Sequence, residues 1–272
     1  MRVGFIGLGS QGAPMARRIV DAGYPTTLWA RRPASLEPFA DTAAKVAGSP
    51  AELGAASDLV CICVVGDADV AEVLGGDSGV LAAMTGGGTI AIHSTVHPDT
   101  CRALARTAAR QNVSLIDAPV SGGGEAAAQR RLLVMAGGEA ETVDRCRPVF
   151  ETYADPVVHL GGVGAGQITK LLNNVLFTAN VATAKTTLAL GEALGVSAEN
   201  LTEVISRGSG NSFALNSIGR FGGSLDVLAS IAAQLLQKDV RLVADIAGKA
   251  QVSPGAVLDA ADAALELMDR PR

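Results

Sequence analysis

The chain has 272 residues, 48% of them hydrophobic, 18% charged and only 3% aromatic. That is enough for one large domain or two modest ones, with a core built from Ala, Val, Leu and Ile rather than from rings. The formal net charge is -5 and no run of basic residues is present, which argues against a nucleic-acid partner. The longest uncharged stretch, between Asp77 and Asp99, holds Gly86-Gly87-Gly88 and two histidines, so it does not read as a membrane span. Glycines break the apolar N-terminal residues before Arg17-Arg18; no signal peptide is read there, and a cytoplasmic location is expected.

Along the chain, Arg2 to Ile6 reads as a first strand and Pro14 to Ala22 as a helix stopped by Gly23. Thr26 to Ala30 reads as a second strand. Asp58 to Val65 is a continuous apolar run, the pattern of a strand buried on both faces. Thr89 to His93, Ser114 to Ala118 and Leu132 to Ala136 read as further strands. Strands separated by helix-sized segments predict a parallel, doubly wound α/β sheet. From Ile168 to Gly195 the only breaker is Gly191, and Leu171 to Ala184 is uncharged, which predicts one long helix over about 167–194. Its uncharged stretch needs cover from other helices or from a second subunit. Helices are then predicted from Ala198, over Leu225 to Gly248 and over Pro254 to Met268. A strand-rich domain at 1–163 therefore precedes an all-helical domain at 164–272.

Cys61, Cys63, Cys101 and Cys146 form no CxxC pair and read as small buried hydrophobes. His93 and His97 bracket a strand end rather than a helix face, so no metal site is read from them.

Three features carry chemistry. Gly7-Leu8-Gly9-Ser10-Gln11-Gly12 is a GxGxxG that follows a strand and opens a helix, the context a dinucleotide loop needs. Gly7 permits the turn, Gly9 lets backbone approach a pyrophosphate, Gly12 allows close helix packing, and the helix N-terminus faces the phosphates. At the end of the second strand, where an acid would bond the ribose 2′-hydroxyl of NAD, stand Ala30-Arg31-Arg32, with no acid before Glu37. Two guanidiniums suit a 2′-phosphate, so NADP is favoured over NAD. The third feature is Gly161 to Asn174, read as a flexible glycine run feeding an apolar helix. Lys170 and Asn174, four residues apart, share a face of that helix. A lysine turned inward on an apolar helix is costly without a task. Asn174 can both donate and accept hydrogen bonds. Ser121-Gly122-Gly123 follows a strand-like run and an X-Pro step, and its successive backbone N–H groups could hold a carboxylate.

Four segments, taken in order, resemble the β-hydroxyacid dehydrogenase family, the group with 3-hydroxyisobutyrate dehydrogenase, tartronate semialdehyde reductase and glyoxylate/succinic semialdehyde reductase. Gly7 to Ala16 is similar to its GLGxMGxPMA, Asp117 to Gly123 to DAPVSGG, Gly164 to Asn174 to GxGxxxKxxNN, and Lys238 to Leu242 to KDLRL. Gln11 stands where Met is common, Gly66 where many members have proline, and His93 where Asp or a small residue is usual. The resemblance implies an N-terminal Rossmann domain and a helical C-terminal domain joined by a long helix. It implies Lys170 as the catalytic lysine and Ser121, Gly122, Gly123 and Asn174 as substrate-binding residues. It also implies Thr95 beside the nicotinamide, Val64 and Val65 lining the cofactor, and Lys238 closing over it. The expected substrate is a small carboxylate, and the expected assembly a homodimer or homotetramer. Two other readings stay open: an imine reductase, which usually lacks lysine at the position of Lys170, and a dinucleotide-binding module without catalysis.

Overall fold

A computed structural model describes residues 1–272. Two compact units divide at Lys170/Leu171, inside a helix; the sequence reading draws the boundary between 163 and 164.

In the first unit, β1 (Val3–Ile6), α1 (Gly12–Asp21), β2 (Thr26–Trp29), a 3-10 segment (Pro33–Phe39) and β3 (Lys45–Val46) wind one way. After α2 (Pro50–Ala55) the chain returns to the other side of β1 with β4 (Leu59–Ile62), α3 (Asp67–Leu74) and α4 (Val80–Ala83). It continues with β5 (Thr89–Ile92), α5 (Pro98–Ala109) and β6 (Ser114–Asp117). The sheet order is β3-β2-β1-β4-β5-β6 and every pairing is parallel. The winding reverses at β1 and β4, so a crevice opens at their carboxyl ends, where doubly wound sheets bind ligands.

Period-two alternation explains why β4 reads as continuously apolar. Leu59 and Cys61 join one buried cluster with Phe5, Met15, Ile19, Leu28 and Phe150. Val60 and Ile62 face the opposite cluster with Ile6, Leu53, Val70, Val73 and Ile90. Burying each large side chain contributes on the order of 1.5–3 kcal/mol. The four cysteines are free; Cys61, Cys101 and Cys146 are buried and Cys63 is partly buried.

Two strand expectations need correction. The run from Asp58 to Val65 is not one strand, because Cys63, Val64 and Val65 lie beyond β4. There the Val64 N–H donates to Ser94 Oγ at 2.8 Å. Leu132 to Ala136 does form a strand, β8, but outside the parallel sheet. It lies between β7 (Val120–Ser121), which is antiparallel to it, and β9 (Ala154–His159), which is parallel. Pro119, which has no N–H to donate, separates β6 from β7. Helices α6 (Gly123–Ala128) and α7 (Ala140–Phe150) complete this region. β9 is mostly exposed and includes Asp155 and Pro156, so it lacks the apolar signature that marks β1, β4, β5 and β8.

His93, just beyond β5, is buried among Phe5, Phe150 and Tyr153. Its Nδ1 lies 2.7 Å from the Ala118 carbonyl and its Nε2 3.2 Å from the Tyr153 hydroxyl. Burial lowers its pKa to about 4, against the opposing Ala118 bond. A neutral ring donating to the carbonyl and accepting from Tyr153 satisfies both partners.

Helix α8 (Ala165–Ala193) runs 29 residues and spans the division. In the second unit its Leu171, Val175, Ala179 and Ala182 form a helical stripe in a core shared with Leu215, Val240, Leu258 and Leu265. Those partners lie on α10 (Phe213–Gly219), α11 (Asp226–Lys249) and α12 (Ala256–Leu267); α9 (Ala198–Arg207) precedes them. Ser197 and Ser212 cap α9 and α10 with their hydroxyls. Gly191 serves close packing: a Cβ there would lie 2.4 Å from Leu201 Cδ2. The cover expected for the uncharged stretch reaches one side only, since Leu172 and Leu176 are each 54% exposed. No helix is long and apolar enough to cross a membrane.

Candidate active site

The three glycines of the first loop have separable reasons. Gly7 has φ +97°, and a Cβ there would sit 2.1 Å from the Cys63 carbonyl oxygen. A Cβ on Gly12 would sit 1.9 Å from the Gly7 carbonyl oxygen, so the turn and helix close only with glycine at both. A Cβ on Gly9 would meet nothing within 4 Å, which leaves room for a group to lie against the backbone. Leu8 turns into the core and can offer a ligand only its backbone, while Ser10 is exposed. Gln11 begins α1 without a capping side-chain bond; its Nε2 lies 3.6 Å from Met15 Sδ. With no acid in the first turn, the helix N-terminus fits a pyrophosphate.

Beyond β2, Arg31 and Arg32 are both exposed. Arg31 donates to Asp69 Oδ1 at 3.0 Å and Glu72 Oε2 at 2.9 Å, both on α3. Beyond β4, Val64 is half-buried and Val65 is 71% exposed despite its apolar side chain.

A buried polar network lies where α8 begins. Asp117, at the end of β6 and fully buried, accepts from the Gly164 N–H at 2.6 Å and the Gln167 N–H at 2.8 Å. Burial raises its pKa, against those backbone bonds. Gly166 must lack a side chain, because a Cβ would come 2.2 Å from the Met135 carbonyl and 2.9 Å from Asp117 Oδ2. The glycine run read as flexible is here a device for close approach. The Gln167 side chain, also fully buried, reaches the loop after β5: Nε2 donates to the Ser94 carbonyl at 2.8 Å, and Oε1 accepts from the Val96 N–H at 3.1 Å. Thr95, half-buried, lies between those two backbone contacts. Lys170, also half-buried, follows Gln167 by three residues on α8 and so shares its side of the helix.

Ser121 ends β7 opposite Leu133. Gly122 and Gly123 have φ of +128° and +75°, conformations that require glycine, as the chain turns into α6. That turn lies against the first loop: a Cβ on Gly124 would be 2.3 Å from the Ser10 carbonyl. In the second unit, Asn174 Nδ2 donates to Asp239 Oδ2 at 2.6 Å, and Lys238 Nζ lies 3.2 Å from Asp239 Oδ1. Asp239 is buried; its Oδ2 fixes the Asn174 amide, while its Oδ1 lies near the Lys238 ammonium without accepting a hydrogen bond.

The first unit thus connects the glycine loop, Val64, Thr95, Ser121 to Gly123 and the helical turn with Lys170. It keeps Arg31 on the carboxylates of α3. Sequence reasoning assigned no role to Gln167. Asp117 was read only as part of a substrate segment, whereas its carboxylate holds the start of α8.

Residues 2–161 match the family model for the NAD binding domain of 6-phosphogluconate dehydrogenase. Residues 164–270 match that for the NAD-binding of NADP-dependent 3-hydroxyisobutyrate dehydrogenase. A NAD-dependent L-serine dehydrogenase of Pseudomonas aeruginosa is 32% identical over 253 residues, covering 90% of this chain and 85% of that protein. The solved 3-hydroxyisobutyrate dehydrogenase of Mycobacterium tuberculosis with L-serine superposes with a TM-score of 0.87 at 29% identity, covering 98% and 94% of the two chains. An imine reductase of Streptomyces aurantiacus shares the fold at 20% identity and a TM-score of 0.69, covering 98% and 94%. The chain belongs to the β-hydroxyacid dehydrogenase family: it is an NAD(P)-dependent oxidoreductase with a Rossmann domain and a helical C-terminal domain.

Proposed function

We propose that the enzyme interconverts a small β-hydroxy acid and its semialdehyde or oxo acid, with Lys170 moving the proton and NADP preferred over NAD. The observation that carries this reading is the tie from Gln167, three residues before Lys170, to the backbone on either side of Thr95. It links the lysine's helix to the carboxyl edge of the sheet, where the glycine loop also lies.

A bound nicotinamide supplies or accepts the hydride. In reduction, the Lys170 ammonium hydrogen-bonds the carbonyl oxygen, stabilises its developing negative charge and gives it a proton. In oxidation, the neutral amine takes that proton from the alcohol. Ser121, Gly122 and Gly123 hold the substrate carboxylate, Asn174 orients the substrate with its amide fixed by Asp239, and Thr95 lies by the reacting carbon. Gly7 to Gly12 hold the pyrophosphate, Val64 and Val65 line the cofactor, and Lys238 closes over it. Arg31 and Arg32 receive the 2′-phosphate, with Arg31 releasing Asp69 and Glu72 to do so. A second copy of the chain covers Leu172 and Leu176, giving the homodimer or homotetramer that light scattering would reveal.

The test is a panel of short semialdehydes, 2-oxo acids and hydroxy acids, each with both cofactors. Turnover on a short hydroxy acid or semialdehyde supports the reading, and no turnover across the panel overturns it. Lys170→Ala should lower kcat by about 10²- to 10⁴-fold while NADPH affinity is kept. Near-normal turnover in that variant would remove Lys170 from its role.

A further inference from the structure

The geometry points to Gln167 as a positioning residue for hydride and proton transfer: its buried amide fixes the Thr95 loop against the helical turn that carries Lys170. This rests on the hydroxy-acid reading and adds to it a residue outside the glycine loop, the substrate segment and the lysine.

The amide has no freedom left. Its Nε2 donates to the Ser94 carbonyl at 2.8 Å and its Oε1 accepts from the Val96 N–H at 3.1 Å. Each partner offers only one role, so the orientation of the amide is forced. The two bonds flank Thr95 and hold its backbone from both sides. Ser94 in turn accepts from the Val64 N–H at 2.8 Å through its hydroxyl, so the loops after β4 and β5 move together. The Gln167 backbone N–H is held by Asp117 at 2.8 Å, which prevents the helical turn from sliding. Any shift of that turn carries Lys170 with it. A misplacement of about 1 Å costs on the order of a hundredfold in rate, so the amide acts on turnover without touching substrate. Packing alone does not explain a glutamine here, because methionine has a similar length and would satisfy an apolar site.

Two variants test this. Gln167→Met removes both side-chain bonds. It should lower kcat about ten- to a hundredfold, leave the Kd for NADPH within about threefold of wild type, and raise the deuterium isotope effect with 4-deuterated NADPH. Gln167→Glu supplies a carboxyl that mimics the amide only when protonated, accepting from Val96 and donating to Ser94. When ionised it repels the Ser94 carbonyl. Titratable and charged neighbours of the site are Asp117 on β6, Cys101 and Arg102 on α5, Asp67 on α3 and Lys170 on its own helix. Burial beside Asp117 holds the introduced proton to a higher pH than the ordinary value near about 4.3.

The kcat of Gln167→Glu relative to wild type should therefore rise as pH falls, while the same ratio for Gln167→Met stays flat. This pH profile also serves if Gln167→Met fails to fold. A folded Gln167→Met with wild-type kcat, equal losses of kcat and NADPH affinity, or a flat Gln167→Glu ratio would each overturn the assignment. A wild-type enzyme inactive across the substrate panel would overturn the hydroxy-acid reading as well. An active wild type with unaffected variants overturns only the role of Gln167.

Discussion

Helices α1 and α8 each follow a glycine-rich loop, yet their N-termini are used in opposite ways. At α1 no side chain caps the first turn, no acid lies in it, and the space over Gly9 is open. At α8 the corresponding N–H groups are taken by the buried Asp117 carboxylate. The positive end of a helix attracts an anion in both cases. One end is left for a phosphate from outside, whereas the other holds an anion from the protein. We propose that the first binds, whereas the second fixes a helix in place. Glycine spacing alone does not separate the two; the difference lies in what β6 delivers to the second.

The contrast can be broken in steps. Gly12→Ala brings a methyl within 1.9 Å of the Gly7 carbonyl and must open the first turn. We expect at least about a hundredfold loss of affinity for either cofactor, or about 2.7 kcal/mol, read by fluorescence titration. Wild-type affinity would mean that the loop adapts and its geometry is not what holds the phosphate.

Asp117→Ala empties the second N-terminus. Loss of hydrogen bonds to a buried carboxylate should cost about 3 kcal/mol of stability, read as a lower urea midpoint. A cost below about 0.5 kcal/mol would show that Asp117 does not hold α8.

Arg31→Ala sharpens the comparison at the outer end of the first site. It should weaken NADPH about tenfold and leave NADH nearly unchanged. Protein stability should change by less than about 1 kcal/mol, because the ion pairs to Asp69 and Glu72 are exposed. Equal weakening of both cofactors would exclude a 2′-phosphate contact.

Much of the fold was legible because its signals are local. The apolar run from Asp58 to Val65, which overran the strand by its last three residues, the glycine loop and the uncharged residues after Lys170 each declare an element through periodicity or turn chemistry. β9 was not legible, since its exposed residues carry no apolar pattern. Nor was the separation of β8 from the parallel sheet, because strand pairing depends on neighbours distant in sequence. Of the candidate site, Lys170 stood out as a charge on an apolar helix, and Gly7 to Gly12 through their spacing. Gln167 did not, because a polar residue at the start of a helix is ordinary until its bonds to Ser94 and Val96 are seen.

The sequence by itself determined the class of protein: a dinucleotide loop between a strand and a helix, then a helix with Lys170 just before an uncharged stretch, in the order of one family. Those features rest on short-range physics, such as backbone angles open to glycine, helical spacing and alternation along a strand. The tertiary structure decided which groups meet. Asp117 lies 47 residues from Gly164 and 50 from Gln167, and Gln167 lies 73 from Ser94. Only a folded sheet brings such residues within hydrogen-bonding distance, and only burial makes those bonds strong enough to hold the turn that carries Lys170.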